Sequence, residues 1–424
     1  MHFLARACGA KTLRTHWLRL SLALALAGVG GCGGHGGSKI LYAVGLGSPN
    51  VTLFDVSGAG ALTVTANSVG TGSAPDVIAI DPLLRFAYVL DSAGGIGAGG
   101  VSQYVLSRST GTLTVATFSS INGSAPASTP APTGVNPAAI AIDGSGFFVF
   151  VANQGAPGTP CDTTTPALNC SLSVFLIDQV GGTLTEIKQL PPTTLNCTLN
   201  QVTPCPLPTT GAPSALATTG TMLFVAMTNA GVGSIATYMF NSSAGEPSTP
   251  VVLPCPAGPG CLQNPPASTI AAGANPVAMA MDSTGKFLFV ADSVTNTVAA
   301  FSIASSGQLT AVGAPIATGT TPVSVRVHPT GQFVFTANQG SNDVSAFSFD
   351  SSGTLTALSG SPFAAATSPS YVATDTAGSF LFVANRDSTN ISVFSIDSSG
   401  ALKQVTGSPF NSPVNNPIAL ASIN

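Results

Sequence analysis

Apolar residues recur along the chain in two kinds of short block, each bounded by Pro, Gly, Asn or Asp. One kind opens on proline: PDVIAID (75–81), PAAIAID (137–143), PSALATT (213–219), PVAMAMD (276–282), PVSVRVH (322–328) and PSYVATD (369–375). The other follows ten to twelve residues later and usually closes on Asn or Asp: AYVLD (87–91), VFVAN (149–153), LFVAM (223–227), LFVAD (288–292), VFTAN (334–338) and LFVAN (381–385). A further copy of the second kind, LYAVG (41–45), stands alone near the start. Runs of this length, rich in β-branched and aromatic residues and punctuated by turn formers, predict strands.

Two more strands follow each pair, as in ISVFSID and ALKQVTG, joined by Asp397-Ser398-Ser399-Gly400. That tetrapeptide predicts a tight turn with glycine where φ must be positive. The last two units are near copies, residues 333–363 and 380–410. Four short strands per unit, repeated every forty to fifty residues or more, is the pattern of a propeller blade. The unit at Leu41 lacks its proline-initiated strand, and NPIALASIN (416–424) is such a strand with nothing after it. The expectation is therefore an all-β, seven-bladed β-propeller over 39–424, with blade one closed by the C-terminal strand so that no sheet edge is left at the seam.

Inner strands packed on both faces should carry small residues near the axis. Alanine stands four places after the proline in six copies (Ala79, Ala141, Ala217, Ala280, Ala373, Ala421), and Arg326 takes that place in the seventh. Arg326 is either a paired core arginine or a cation near the axis for a carboxylate or phosphate. The turn position held by Asp81, Asp143, Asp282 and Asp375 is held by His328 in the same unit, the one histidine of the propeller and a candidate base.

The first residues change the picture of where the chain works. Residues 1–31 carry Arg6, Lys11, Arg14 and Arg19, no acidic residue, and an apolar run from Leu20 to Val29. This is a secretory layout, too short for a membrane span. Val29-Gly30-Gly31-Cys32 resembles a lipobox, which makes Cys32 the lipidation site, residues 32–38 a Gly-rich tether, and the bacterial cell envelope the destination. Loss of 1–31 removes four of twelve basic residues and none of sixteen acidic ones, leaving about −8. That charge argues against nucleic acid as a partner, and the membrane is expected to be met through the lipid alone.

Six further cysteines fall as three near neighbours: Cys161 and Cys170, Cys197 and Cys205, Cys255 and Cys261. Fifteen pairings are possible; local disulfides are the simplest in an exported chain. The spacing and the lack of nearby histidine speak against zinc, so no metal and no cofactor are expected. Successive prolines lie 62, 76 and 63 residues apart in the first three steps and 46 to 48 in the last three, so the extra residues sit in blades two to four. Placed in the second-to-third-strand hairpins and the outer-strand-to-next-blade connections, the cysteine inserts would share one face.

HPTGQFVFTANQGSNDVSAF (328–347) resembles the lactonase family of propellers, which includes bacterial 6-phosphogluconolactonase and fungal muconate-lactonising enzymes. It is also similar to propellers with Tyr-Val-Thr-Asn repeats found in surface and periplasmic proteins. The phrase His-Pro-x-Gly-x-Phe-x-Phe is present at His328 to Phe335. The resemblance implies Arg-His after an inner-strand proline and Glu after the Asn ending a core strand. Here Val323-Ser324, Ala138-Ala139 and Val277-Ala278 follow Pro322, Pro137 and Pro276, while Gln154, Gln339 and Arg386 follow Asn153, Asn338 and Asn385.

With that acid–base set missing, the sequence points to a monomeric, non-catalytic binding module for a protein or glycan on its loop-rich face. The alternative is a lactone hydrolase. Arg386, Asp387 and Asp343, in hairpin loops of that face, are the candidate binding residues, with Arg326 and His328 the candidates for chemistry.

Overall fold

The computed structural model describes residues 39–92, 98–116, 130–156, 161, 170–187, 207–240, 262 and 266–424. The leader, the tether with Cys32, and Cys197, Cys205, Cys255 and Cys261 lie outside the described residues. All regular elements among the described residues are strands, arranged in seven antiparallel sheets.

Blade two shows the plan. Its inner strand Pro75–Ile80 pairs with Phe86–Asp91, which pairs with Ala98–Leu106. The outer edge is covered by two pieces, Leu113–Val115 and Ala131–Val135. Blades six and seven repeat this with Leu355–Ala357 and Phe363–Ala364, then Leu402–Gln404 and Phe410–Asn411. In blade one the strand Lys39–Gly45 pairs on one side with Ser48–Val56 and on the other with Pro417–Ile423. The C-terminal strand thus completes the first blade and closes the seven-bladed ring, which removes the open edge at the seam.

The second strand of each blade explains its own composition. All six residues of Phe148–Asn153 and of Phe380–Asn385 are buried, so both faces must be apolar. The core is accordingly divided into seven clusters, one between each pair of neighbouring blades, including blades seven and one (Ala384 with Leu41 and Phe54). Each fully buried Phe or Val contributes on the order of 1.5–3 kcal/mol of burial free energy.

Turns between inner and second strands open at one end of the ring, termed lower here. Hairpins between second and third strands, and the connections into the next inner strand, open at the upper end. The flanks of the inserts show that the three cysteine-bearing segments do not leave from one end. Cys161 and Cys170, at disulfide distance with Cα atoms 5.1 Å apart, belong to the upper hairpin of blade three. Residues 188–206 leave from the middle of that blade's outer edge, between Leu184–Glu186 and Leu207–Pro208, which both pair with Ser171–Ile177. Residues 241–261 depart at the lower end of blade four, where Phe240 bridges Leu262. An insert can interrupt the outermost strand because that strand has a neighbour on one side only.

Candidate functional site

A single register feature recurs in all seven inner strands. Pairing slips by one residue just after the proline: Pro75 faces Asp91 but Val77 faces Leu90, and Pro369 faces Asn385 but Tyr371 faces Ala384. The extra residue of such a bulge is left out of the ladder and its side chain is re-aimed. The residue before the proline supports the distortion with positive φ at Ala74 (54°), Asn136 (51°), Thr321 (53°), Ser368 (60°) and Asn416 (50°).

The bulged residues include Asp76, Ala138, Ser214, Val277, Val323 and Ser370, and they line an upper axial cavity of about 470 Å³. The residues just beyond the second strands, Gln154, Gln339 and Arg386, line it too. Among the described residues that line it, Asp76 is the single carboxylate and Arg386 the single cation. Desolvation by burial raises the Asp76 carboxyl above the usual range, with a bond from Ser92 opposing the shift. Asn136 Nδ2 donates to Gln154 Oε1 at 3.2 Å, which fixes that amide on the rim.

Sequence reasoning did not single out Asp76. The signal was available, because Asp76 is the one charged residue among the seven that follow the inner-strand prolines. What hid it was the bulge: in an ordinary ladder the neighbours Asp76 and Val77 would point to opposite faces of the blade.

The candidates chosen from sequence separate into different places. Arg386 reaches the upper cavity while its Nε donates to Asp387 Oδ1 at 2.9 Å, a half-exposed pair. Its bond to that carboxylate holds the Asp387 carboxyl below the usual range. Asp343 accepts from Asn338 Nδ2 at 2.7 Å and does not line the cavity. His328 sits at the lower end, 6% exposed. Its Nε2 lies 2.8 Å from the carbonyl oxygen of Gly378 in the next blade, and its Nδ1 lies 2.7 Å from Thr330 Oγ1. Both ring nitrogens are thus engaged in bonds that join blades six and seven and shape the turn, as Asp81, Asp143 and Asp282 shape theirs by accepting backbone N–H bonds. Arg326 lines a second axial cavity of about 450 Å³ on the lower side. Val77, Ile140 and Tyr371 line both cavities and mark the waist between them.

Among the described residues no group of three or more His, Cys, Asp or Glu is placed to hold a metal ion. Among the described residues the upper cavity therefore offers one acid–base group, one cation and three amides, those of Asn136, Gln154 and Gln339.

No curated protein sequence matches the chain. Among solved structures it is similar to a Bacteroides fragilis protein provisionally assigned as a 6-phosphogluconolactonase, with TM-score 0.67 and 18% identity over 91% of this chain and 98% of the other. It is also similar to the periplasmic gluconolactonase of Pseudomonas aeruginosa, with TM-score 0.66 and 18% identity over 91% and 99%. A Lactobacillus plantarum protein gives 0.65 and 16% over 91% and 99%. At these identities the likeness establishes the fold alone. The family model for lactonase, 7-bladed beta-propeller, matches residues 38–196, 262–367 and 325–417, which together span most of the chain. Blade plan, ring closure and sequence match agree: the chain belongs to the seven-bladed β-propeller lactonase family.

Proposed function

We propose that the protein is a lactone hydrolase working in the upper axial cavity, exported and lipid-anchored through Cys32 at the cell envelope. The observation that carries the catalytic part is Asp76: a carboxylate turned to the axis by a bulge, with its acid strength weakened by burial. A carboxylate of raised pKa is a better base toward water than an ordinary surface aspartate. In this reading Asp76 takes a proton from water attacking the lactone carbonyl. Arg386 and the amides of Gln154 and Gln339 hold the oxygen on which charge develops. The products are the ring-opened hydroxy acid, with the water proton returned to the leaving alkoxide. Family membership and the resemblance to gluconolactonase structures support the substrate class.

A second reading, capture of a protein or glycan without chemistry, is favoured by the Arg386–Asp387 pair, which neutralises part of the cation's charge. Assaying γ- and δ-lactones with the wild type, Asp76→Asn and Arg386→Ala separates the two. Hydrolysis should fall by about 100-fold or more in Asp76→Asn, the usual scale for a lost general base. Turnover that is equal in Asp76→Asn, or absent throughout while the same lactones bind, rejects the enzyme reading and leaves the binding one.

A further inference from the structure

The lower axial cavity is chemically distinct from the upper one. Its wall is formed by the lower halves of inner strands and their turns: Ala79 and Ile80 of blade two, Ala141 of blade three, Thr374 and Thr376 of blade seven, and Ser422 of blade one. Alanine at the crowded axial position in six blades leaves room, and Arg326 in the seventh projects into it. The Arg326 side chain is exposed, and its hydrogen bond within the protein runs from Nε to Thr374 Oγ1 at 3.4 Å. No ion pair joins it to a described carboxylate.

The carboxylate that shares this cavity is already neutralised. Asp81 is fully buried and accepts from Arg85 Nε at 2.7 Å and from Arg85 Nη2 at 3.2 Å. The Asp375 carboxylate, behind Thr374, is taken by Lys39 Nζ at 2.7 Å. The two acidic groups near Arg326 are thus each matched to another cation, which leaves the guanidinium as the uncompensated charge of a concave, half-enclosed space. Tyr371 caps that space at the waist, close enough that the Arg326 charge acts against the rise that burial imposes on its phenol.

An arginine used to hold a fold together is ordinarily bonded through several of its five donors. Arg326 commits one, at the long end of the range, and presents the planar Nη edge that matches an oxyanion in two parallel bonds. We infer that the lower axial cavity is a binding site for a small oxyanion, a carboxylate or a phosphate, held by Arg326 with the hydroxyl of Thr374 beside it. Thr374 Oγ1 accepts from Arg326 Nε and so keeps its own proton for a ligand, while Ser422 Oγ donates to the Thr374 carbonyl oxygen at 2.7 Å and ties blades one and seven together beside it. This site is independent of the proposed chemistry above the waist.

Calorimetric titration of the purified protein with inorganic phosphate, and separately with succinate, tests the assignment. Binding of either probe to the wild type at concentrations on the order of 10 mM or below is expected. Arg326→Ala should weaken it tenfold or more, and Arg326→Lys should recover part of the loss, since charge returns without the fork. Phosphate binding alone identifies a phosphoryl ligand, and succinate binding alone a carboxylate. Far-ultraviolet circular dichroism of both variants confirms that the sheets are intact. Absence of binding to the wild type, equal affinity in Arg326→Ala, or a loss that follows Arg386→Ala instead, each overturns the inference.

Discussion

Gly400 of blade seven lies against the ring of Phe333 in blade six so closely that a Cβ at Gly400 would stand 2.4 Å from Phe333 Cδ1. Its φ is +82°, which L side chains rarely adopt. The relationship recurs around the ring: Gly353 on Phe287, Gly182 on Phe86, Gly60 on Phe380, and Gly111 on Ile40. A turn glycine of each of these blades thus covers the start of the second strand in the blade before it, its first residue in four cases and its second, Ile40, in blade one. The turn closes a hairpin and seals an interface with the same residue.

Gly400→Ala should therefore destabilise the protein by about 3 kcal/mol, from positive φ together with overpacking. Urea unfolding of the variant is the measurement. A loss below about 1 kcal/mol would show that the interface yields without strain.

Asp91 gives a pH prediction. Burial raises its carboxyl to about 6, and hydrogen bonds from Ser102 and Gly72 only partly oppose this. Between its unfolded value of 3.8 and its folded value of about 6, the native state holds more protons than the unfolded chain. Stability from this group is thus present below the unfolded value and declines as pH rises through 6. Blade six builds the same bond set with an amide: Asn338 Nδ2 donates to Ser345 Oγ at 2.8 Å, and Gly319 N donates to the same oxygen at 3.0 Å. Asp91→Asn should fit that pattern, raise stability at pH 8 by on the order of 2 kcal/mol, and flatten the slope between pH 4 and 6. Asp350 and Asp397, held below the usual range by Ser352 and Ser399, act in a lower window, losing their contribution as pH falls through their depressed values. An unchanged slope in the variant would move the effect to another carboxyl.

The catalytic reading has its own pH signature. Asp76 must be ionised to act as a base, so kcat/KM for a lactone should rise with pH to a plateau whose midpoint lies above the ordinary aspartate value of 3.8. A rate independent of pH from 4 to 8 would exclude Asp76 from proton transfer.

Export is checked separately. Cys32→Ser should prevent lipid attachment and shift the protein from the membrane fraction to the soluble fraction. Unaltered fractionation and an unaltered N-terminus would mean that another device directs the chain.

Much of the architecture was legible because blade building is local. Proline starts, Asn or Asp endings and the Asp-Ser-Ser-Gly turn each act within a few residues, and the unmatched strands at 41 and 417 require one another. The candidate site was less legible because it depends on a one-residue slip between strands. Nothing in the spacing of PDVIAID announces that Asp76 leaves the ladder, although its charge at that place was a sign. His328 shows the converse. Its uniqueness drew attention as chemistry, whereas its Nε2 joins blade six to blade seven and its Nδ1 shapes the turn at Thr330. The points where the inserts depart were not legible: the outer strand is continuous in Leu62–Gly70 and Leu309–Ala317 but split in blades two, three, six and seven, and in blade four the insert precedes the outer strand Ser268–Ala271.

The seam in blade one also sets an order of events. Asn415 N donates to Ser48 Oγ across 367 positions of chain, and Pro417–Ile423 is the cover for Lys39–Gly45. A polypeptide emerging from the ribosome, or threaded through a translocon, delivers the bare edge first and its cover last. Through nearly the whole of synthesis the earliest strand has no inner neighbour. Closure of the ring therefore waits for Pro417–Ile423, however early the individual blades form.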